Sequence, residues 1–192
     1  MLFEPALPPG MRYEEGFLTV EQEAALLASI QDITFSTFEM HGVAARRRVS
    51  FYGQTYDEAL PGADFPQFLL ELRARMAPWA GVEPGAFVMA LINEYPPGAP
   101  IGWHRDAPQY GIVAGLSLLS SCRMRLRPYV SPADLPARTG GARRATHELT
   151  LVPRSAYLLA GEARSRYEHS IPPVKDRRYS ITFRTLRTQS RR

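Results

Sequence analysis

The sequence predicts a mainly β fold with flanking helices, built as an antiparallel sandwich or barrel. Six short apolar or alternating runs crowd residues 86–187 with no helical pattern between them. Pro and Gly turns separate those runs. The two stretches with helical periodicity both lie in the first half of the chain.

Thr19 followed by Gln22 matches a capping box, and Val20, Ala24, Leu27 and Ile30 then recur at helical spacing. Asp64 is placed to cap a second helix, with Phe65, Phe68, Leu69, Leu72 and Met76 on one face and Pro78 beyond its end. The expected strands are Phe87–Tyr95, Gly111–Leu119, Arg123–Val130, Thr146–Val152, Ala156–Ala160 and Tyr179–Leu186. Ser131–Ala145, rich in Pro, Gly and Arg, reads as a mobile loop, and the Arg-rich end after Leu186 as a frayed tail.

The 192 residues suit one domain with one sizeable core. Within it, residues 1–85 read as helical support and a substrate lid, and 86–187 as the β core. A hydrophobic share of 45% and a charged share of 22% are ordinary for a globular protein. No apolar run approaches the ~20 residues needed to span a bilayer. The opening MLFEPALPPG lacks the basic and long apolar segments of a signal peptide. Cys122 is the only cysteine, which excludes an internal disulfide. A cytoplasmic monomer without membrane contact is therefore expected. The net charge of +4 leans gently towards an anionic partner. Lys175 is the sole lysine, and arginine's planar fork suits phosphates and carboxylates. Codon usage in a GC-rich genome explains the same bias, so it decides nothing alone.

His104 and Asp106 stand two apart, so in an extended segment both side chains project to one side. With the distant His169 they could form a 2-His-1-carboxylate facial triad, which leaves coordination sites open for a bidentate oxo acid and dioxygen. A closed structural zinc site would want four ligands, usually including cysteine. His147 is the rival distal ligand, but it opens an alternating strand where a solvent-facing histidine is commoner. His41 sits beside Gly42 without a companion. A surface histidine near an aspartate is the competing reading of the pair.

Arg178 and Arg184 strengthen the metal reading. They stand six apart in a strand and so face one side, roughly 20 Å apart at Cα. Leaning towards each other, they leave room for a small dicarboxylate met by charge-assisted forks. Alternation puts Tyr179, Ile181 and Phe183 on the opposite face. Two solvated arginines on an edge strand are the alternative.

Four segments resemble the AlkB family of 2-oxoglutarate dioxygenases: Asn93-Glu94-Tyr95-Pro96-Pro97-Gly98, His104-Arg105-Asp106, Gly161-Glu162-Ala163-Arg164 shortly before His169, and Arg178 to Arg184. Order and spacing follow the family across roughly residues 86–187, and the upstream half matches only loosely, up to Phe51-Tyr52-Gly53. The resemblance implies a double-stranded β-helix (jelly-roll, cupin-like) core with Fe(II) on His104, Asp106 and His169. It implies 2-oxoglutarate on Asn93, Tyr95, Arg178 and Arg184, with Arg178 and Tyr95 at the distal carboxylate and Asn93 and Arg184 nearer the metal. It implies consumption of O2, release of succinate, and hydroxylation of an N-methyl group that leaves as formaldehyde. No first-shell acid or base is needed, because the cofactor carries the difficult step.

Family members flip a damaged base beside the metal, which implies a nucleic-acid partner, DNA or RNA. The candidate lid runs from Phe38 to Tyr56, where Phe38, Phe51 and Tyr52 flank Arg46-Arg47-Arg48. Phe38, Arg47, Phe51 and Tyr52 are its candidate substrate contacts. A partly buried hairpin with a solvated basic turn is the alternative. Arg123, Arg125 and Arg127 alternate along one strand face, with Arg125 the candidate contact, and Arg105 should point away from its neighbouring ligands. Two departures bear on substrate: the lid lacks tryptophan, and Arg164 stands five residues before His169, a spacing closer to tRNA-hydroxylating homologues. The expected function is demethylation of N-alkylated bases. Alternatives are hydroxylation of a modified tRNA base, a protein or a small molecule, and a non-catalytic binding barrel. Zinc hydrolase chemistry lacks its positioned Glu base.

Overall fold

The computed structural model describes residues 7–40, 43–55, 62–131 and 145–187. His41, Tyr56, nearly all of the Ser131–Ala145 stretch and the end of the Arg-rich tail lie outside the described residues. In chain order the elements are β1 (Met11–Glu14), α1 (Val20–Gln31), β2 (Ser36–Met40), β3 (Val43–Gly53) and α2 (Gln67–Ala80). A 3-10 turn at Pro84–Ala86 leads into β4 (Phe87–Tyr95), β5 (Ile101–His104), β6 (Tyr110–Leu118) and β7 (Cys122–Pro128). Then come β8 (His147–Leu151), β9 (Ser155–Leu159), the short helix α3 (Gly161–Ser165), β10 (Tyr167–Ile171) and β11 (Arg178–Leu186).

The strands form two antiparallel sheets. The larger runs β1-β9-β6-β11-β4-β3-β2 and the smaller β5-β10-β7-β8. Period-two alternation gives each central strand of the larger sheet two buried faces. On β11, Ile181 and Phe183 join a core with Leu69, Leu72 and Met76 of α2 and Leu26 and Ile30 of α1. The other face of that sheet meets the smaller one, and Tyr95, Val113, Met124, Leu126, Tyr157 and Ile171 cluster there. This is the jelly-roll sandwich expected, with helices on one outer face.

All six expected strands form, each within two residues of the expected ends. The expectation missed β1, β5 and β10, while β2 and β3 pair as the hairpin weighed as the alternative reading of Phe38–Tyr56. Residues before 86 are thus not purely helical support: β3 pairs directly with β4, Arg48 opposite Glu94 and Gly53 opposite Met89.

The capping box at Thr19 is present in both directions. The buried face of α1, however, is Glu23, Leu26 and Ile30, while Val20 is 61% exposed. Glu23 is stabilised there because it accepts from Arg154 at 3.0 Å and from the Leu119 amide at 2.9 Å. Asp64 does not cap α2; Pro66 occupies that position, without a side-chain cap. Pro78 lies inside the helix, which ends at Gly81 in the left-handed region with φ 73°.

Candidate metal centre and cosubstrate cavity

A cavity of about 250 Å³ opens between the sheets. Register builds its metal-ligating wall. His104 on β5 and His169 on β10 are direct cross-strand partners, so their rings meet with centroids 4.3 Å apart. Asp106, two residues beyond His104, turns into the same space. Its Oδ2 lies 3.8 Å from His169 Nε2, and its side chain is 6% exposed. The three expected ligands therefore converge, although they come from residues 63 or more apart on one side and 2 apart on the other.

The loop after β5 is held from outside the cavity. Arg164 on α3 donates through Nη2 to the carbonyls of Asp106 (3.2 Å), Ala107 (2.7 Å) and Tyr110 (3.0 Å). His104 Nδ1 contacts the Gly102 carbonyl at 2.9 Å, which fixes its ring and leaves Nε2 as the other donor atom. Asp106 is held from within the cavity by Arg184, whose Nε and Nη2 both donate to Oδ1.

Among the described residues, no group of three His, Cys, Asp or Glu side chains stands where it could hold a metal ion without some movement. The protonation of the triad nevertheless fits a divalent cation. Burial opposes ionisation of Asp106, but Arg184 and the two histidines hold its carboxyl well below the usual range. Burial pushes the His104 imidazole down, and it pushes His169 down to about 3, helped by neighbouring His104. Two neutral imidazoles beside one carboxylate are what a metal ligates without first displacing protons.

The cosubstrate candidates line or underlie the same cavity. Asn93 and Tyr95 point in from β4, and Asn93 accepts from Arg47 at 3.0 Å. Arg178 does not line the cavity itself. It is fully buried beneath Tyr95, 5.0 Å from that ring's centre, with Nε donating to Ser117 at 3.2 Å. Both terminal nitrogens of Arg178 lack a hydrogen-bond partner, an uncommon condition for a buried guanidinium. A carboxylate reaching the floor would satisfy them, so the site fits a small dicarboxylate. The two arginines share a face as alternation requires, but their hydrogen bonds run to different partners, Ser117 and Asp106.

The substrate candidates separate. Arg47 and Phe51 line the cavity from β3. Tyr52 is a correction: it faces the opposite side of β3 and belongs to the helix-facing core. Arg125 shares an outward strand face with Arg123 and Arg127, as alternation required, and does not line the cavity. On β7, Met124 and Leu126 are the buried positions, so Arg125 faces outward, with its guanidinium 5.3 Å from the centre of the Trp103 ring. The backbone of Phe38 lies in β2, and its side chain is outside the described residues. Arg105 is exposed and stacks on Tyr129 at 3.6 Å, and it also contributes to the cavity lining. His147 packs edge-on to Tyr167, away from the cavity.

Ser180, Thr182, Tyr110 and Tyr157 also line the cavity and were not expected there. Ser180 and Thr182 were readable, since they share parity with Arg178 and Arg184. Tyr157 depends on Gly115: a Cβ at Gly115 would meet the Tyr157 ring at 2.2 Å. No local pattern announces that contact.

Comparison with known proteins bears on this geometry. The profile described as 2OG-Fe(II) oxygenase superfamily matches residues 10–184. The alkylated DNA repair protein ALKBH8 homolog of Arabidopsis thaliana is 30% identical over 93% of this chain, which spans 59% of that protein's length. Uncharacterized protein L905 of Acanthamoeba polyphaga mimivirus is 25% identical, covering 88% of this chain and 81% of its own. Among solved structures, OsALKBH1 matches with a TM-score of 0.69 at 13% identity, covering 94% of this chain and 100% of its own. A Pseudomonas putida prolyl-4-hydroxylase matches with a TM-score of 0.63 at 15% identity, covering 94% of each chain. At those identities the two structures speak for the fold, the double-stranded β-helix.

Proposed function

The chain belongs to the 2OG-Fe(II) oxygenase superfamily and is an AlkB-like dioxygenase using Fe(II), 2-oxoglutarate and O2; from that premise we propose that it demethylates N-alkylated bases in nucleic acid. The observation that carries this reading is the convergence of His104, Asp106 and His169 in one cavity whose floor hides the unsatisfied guanidinium of Arg178. In this reading residues 1–192 act as one domain, because β3 from the first part completes the sheet that bears the site.

His104, Asp106 and His169 would hold Fe(II), and Asn93, Tyr95, Arg178 and Arg184 would hold 2-oxoglutarate. Iron bound there, with 2-oxoglutarate and O2, would supply the oxidation: the oxo acid loses CO2 and takes one oxygen atom to become succinate, and the other oxygen atom enters a substrate C–H bond. The chain's own residues prepare that step. Arg184 fixes the carboxylate rotamer of Asp106 by two bonds to a single oxygen. Arg178 neutralises the distal carboxylate of the oxo acid at the dry end of the cavity. Met89, Leu91, Ile101 and Val113 give the walls their apolar character and exclude water. Phe51 offers a ring for a flipped base, and Arg47 brings a cation between lid and cosubstrate floor. Hydroxylation of an N-methyl carbon gives a hydroxymethyl amine, which releases formaldehyde without enzymic acid or base.

The nucleic-acid substrate is supported by the name of the Arabidopsis relative and by the surplus of arginines. A panel of 1-methyladenine and 3-methylcytosine oligonucleotides tests it. The reading predicts equal amounts of succinate and formaldehyde, with loss of the methyl group by mass spectrometry. Turnover of 2-oxoglutarate that no methylated oligonucleotide changes would refute it. A second reading, hydroxylation of a protein side chain, is favoured only by the prolyl-4-hydroxylase fold match. Hydroxylated peptide in the same mass-spectrometric screen would select it.

A further inference from the structure

We propose that the groove behind the loop from Arg105 to Tyr110 binds the phosphate backbone of the nucleic-acid strand whose base enters the cavity; this rests on the substrate class proposed above. The groove has a volume of about 950 Å³ and shares Arg105, Asp106, Ala107 and Tyr110 with the lining of the cavity. The two spaces are thus divided by one thickness of chain. A nucleotide bound at their common edge reaches both.

The charge on its walls is one-sided. Arg105, Arg164, Arg166 and Arg187 line it. Among the described residues, Glu162 is the only acid whose side chain answers them there, since the Asp106 carboxylate turns inward to Arg184. Arg164 is committed to three carbonyls of the dividing loop. Arg166 is 72% exposed on its side chain and meets Glu162 only at 3.6 Å. Arg105 and Arg187 make no ion pair among the described residues. These four cations share the lining of one groove. A cluster of like charges is unfavourable unless an anion joins it, and a phosphodiester chain supplies anions at regular intervals.

Two residues that line the groove, Arg105 and Arg166, also touch an aromatic surface. Arg105 lies over Tyr129, and the Tyr129 amide donates to the carbonyl of Arg166 at 2.8 Å. On the smaller sheet, the Trp103 ring carries Arg127, itself paired with Glu168, at 4.0 Å and Arg125 at 5.3 Å. Guanidinium planes beside aromatic rings are what unpaired bases and phosphates meet in sequence-tolerant strand binding. Within the groove, Leu186 is 45% exposed and offers an apolar contact for a sugar.

The test is a double charge reversal, Arg166→Glu with Arg187→Glu, at two exposed positions outside the metal and cosubstrate sites. Binding of a fluorescent, unmodified single-stranded oligonucleotide is read by anisotropy over a salt series. The proposal expects affinity to fall at least tenfold, and the salt slope to shrink by about 1.4 for two lost phosphate contacts on a single strand. Uncoupled 2-oxoglutarate turnover should stay at the wild-type level, which shows that the variant is folded and its centre intact. Equal affinity and slope in both proteins, or no oligonucleotide binding by the wild type, would overturn the groove. Because the probe carries no methyl group, these results stand apart from the demethylation assay, whose failure would count against the proposed reaction instead.

Discussion

Arg184 and Asp106, 78 residues apart, are joined by two hydrogen bonds to one carboxylate oxygen, Nε at 2.9 Å and Nη2 at 2.8 Å from Oδ1. The second oxygen, Oδ2, is thereby left on the side of His169. One arginine therefore orients a metal ligand while lining the cosubstrate cavity, which ties metal affinity to cosubstrate affinity.

Arg184→Lys keeps the charge but loses the fork. Affinity for Fe(II), or for Mn(II) as a redox-stable probe, should fall about 10- to 100-fold, as for other residues that orient ligands. The KM for 2-oxoglutarate should rise in parallel. Isothermal titration of the metal, with and without 2-oxoglutarate, measures both. A change in KM with unaltered metal affinity would break the link.

Arg178 is a buried cation with two unsatisfied nitrogens, and each unmade bond costs about 1–3 kcal/mol. Arg178→Met should therefore leave the ligand-free protein as stable as wild type or raise its Tm, at about 2–4 °C per kcal/mol for a chain of this size. The same variant should lose the stabilisation that 2-oxoglutarate gives the wild type. Thermal melts with and without the oxo acid test this. A lower Tm together with an undiminished 2-oxoglutarate effect would place the cosubstrate elsewhere.

His104 and His169 are both depressed below 6.5, His169 to about 3. A histidine whose folded pKa is lowered stays neutral in the folded chain while its unfolded counterpart takes up a proton. At pH 6 two ordinary histidines would release about 1.5 protons on metal binding, whereas this pair should release fewer, with almost none from His169. Calorimetry of Mn(II) binding in buffers of different ionisation enthalpy counts the protons. The same sign makes the metal-free fold lose stability as pH falls from 6.5 towards 3.

Gly115→Ala should cost about 1–3 kcal/mol, because its Cβ would fall 2.2 Å from the ring of Tyr157. Denaturant midpoints report the loss. Since Tyr157 lines the cavity, the KM for 2-oxoglutarate should rise with it; an unchanged midpoint would mean that the ring moves freely.

Much of the site was legible in the sequence because it depends on short-range parity. His104 and Asp106 share a side at spacing two, and Arg178 and Arg184 share a face along β11, opposite Ile181 and Phe183. The partner of β5 was not legible. β10 holds only Tyr167–Ile171, with Glu168 and Ser170 buried beside His169, so its hydrophobic pattern is weak. Yet that pairing sets His169 opposite His104. The role of Arg164 was also hidden, since its partners are backbone carbonyls that no residue type announces. Tyr52 was misplaced because composition gives no strand face: β3 turns it to the helices.

The central claim is that one iron is held by His104, Asp106 and His169 beside a bound oxo acid. An anaerobic titration of the protein with Fe(II) and 2-oxoglutarate, followed by the visible charge-transfer band of the Fe(II)–oxo acid chelate, tests it most directly. The account predicts a band that saturates at one iron per chain and disappears in Asp106→Ala and in His169→Ala, with both variants still folded by circular dichroism. The same band at the same stoichiometry in either variant would contradict it.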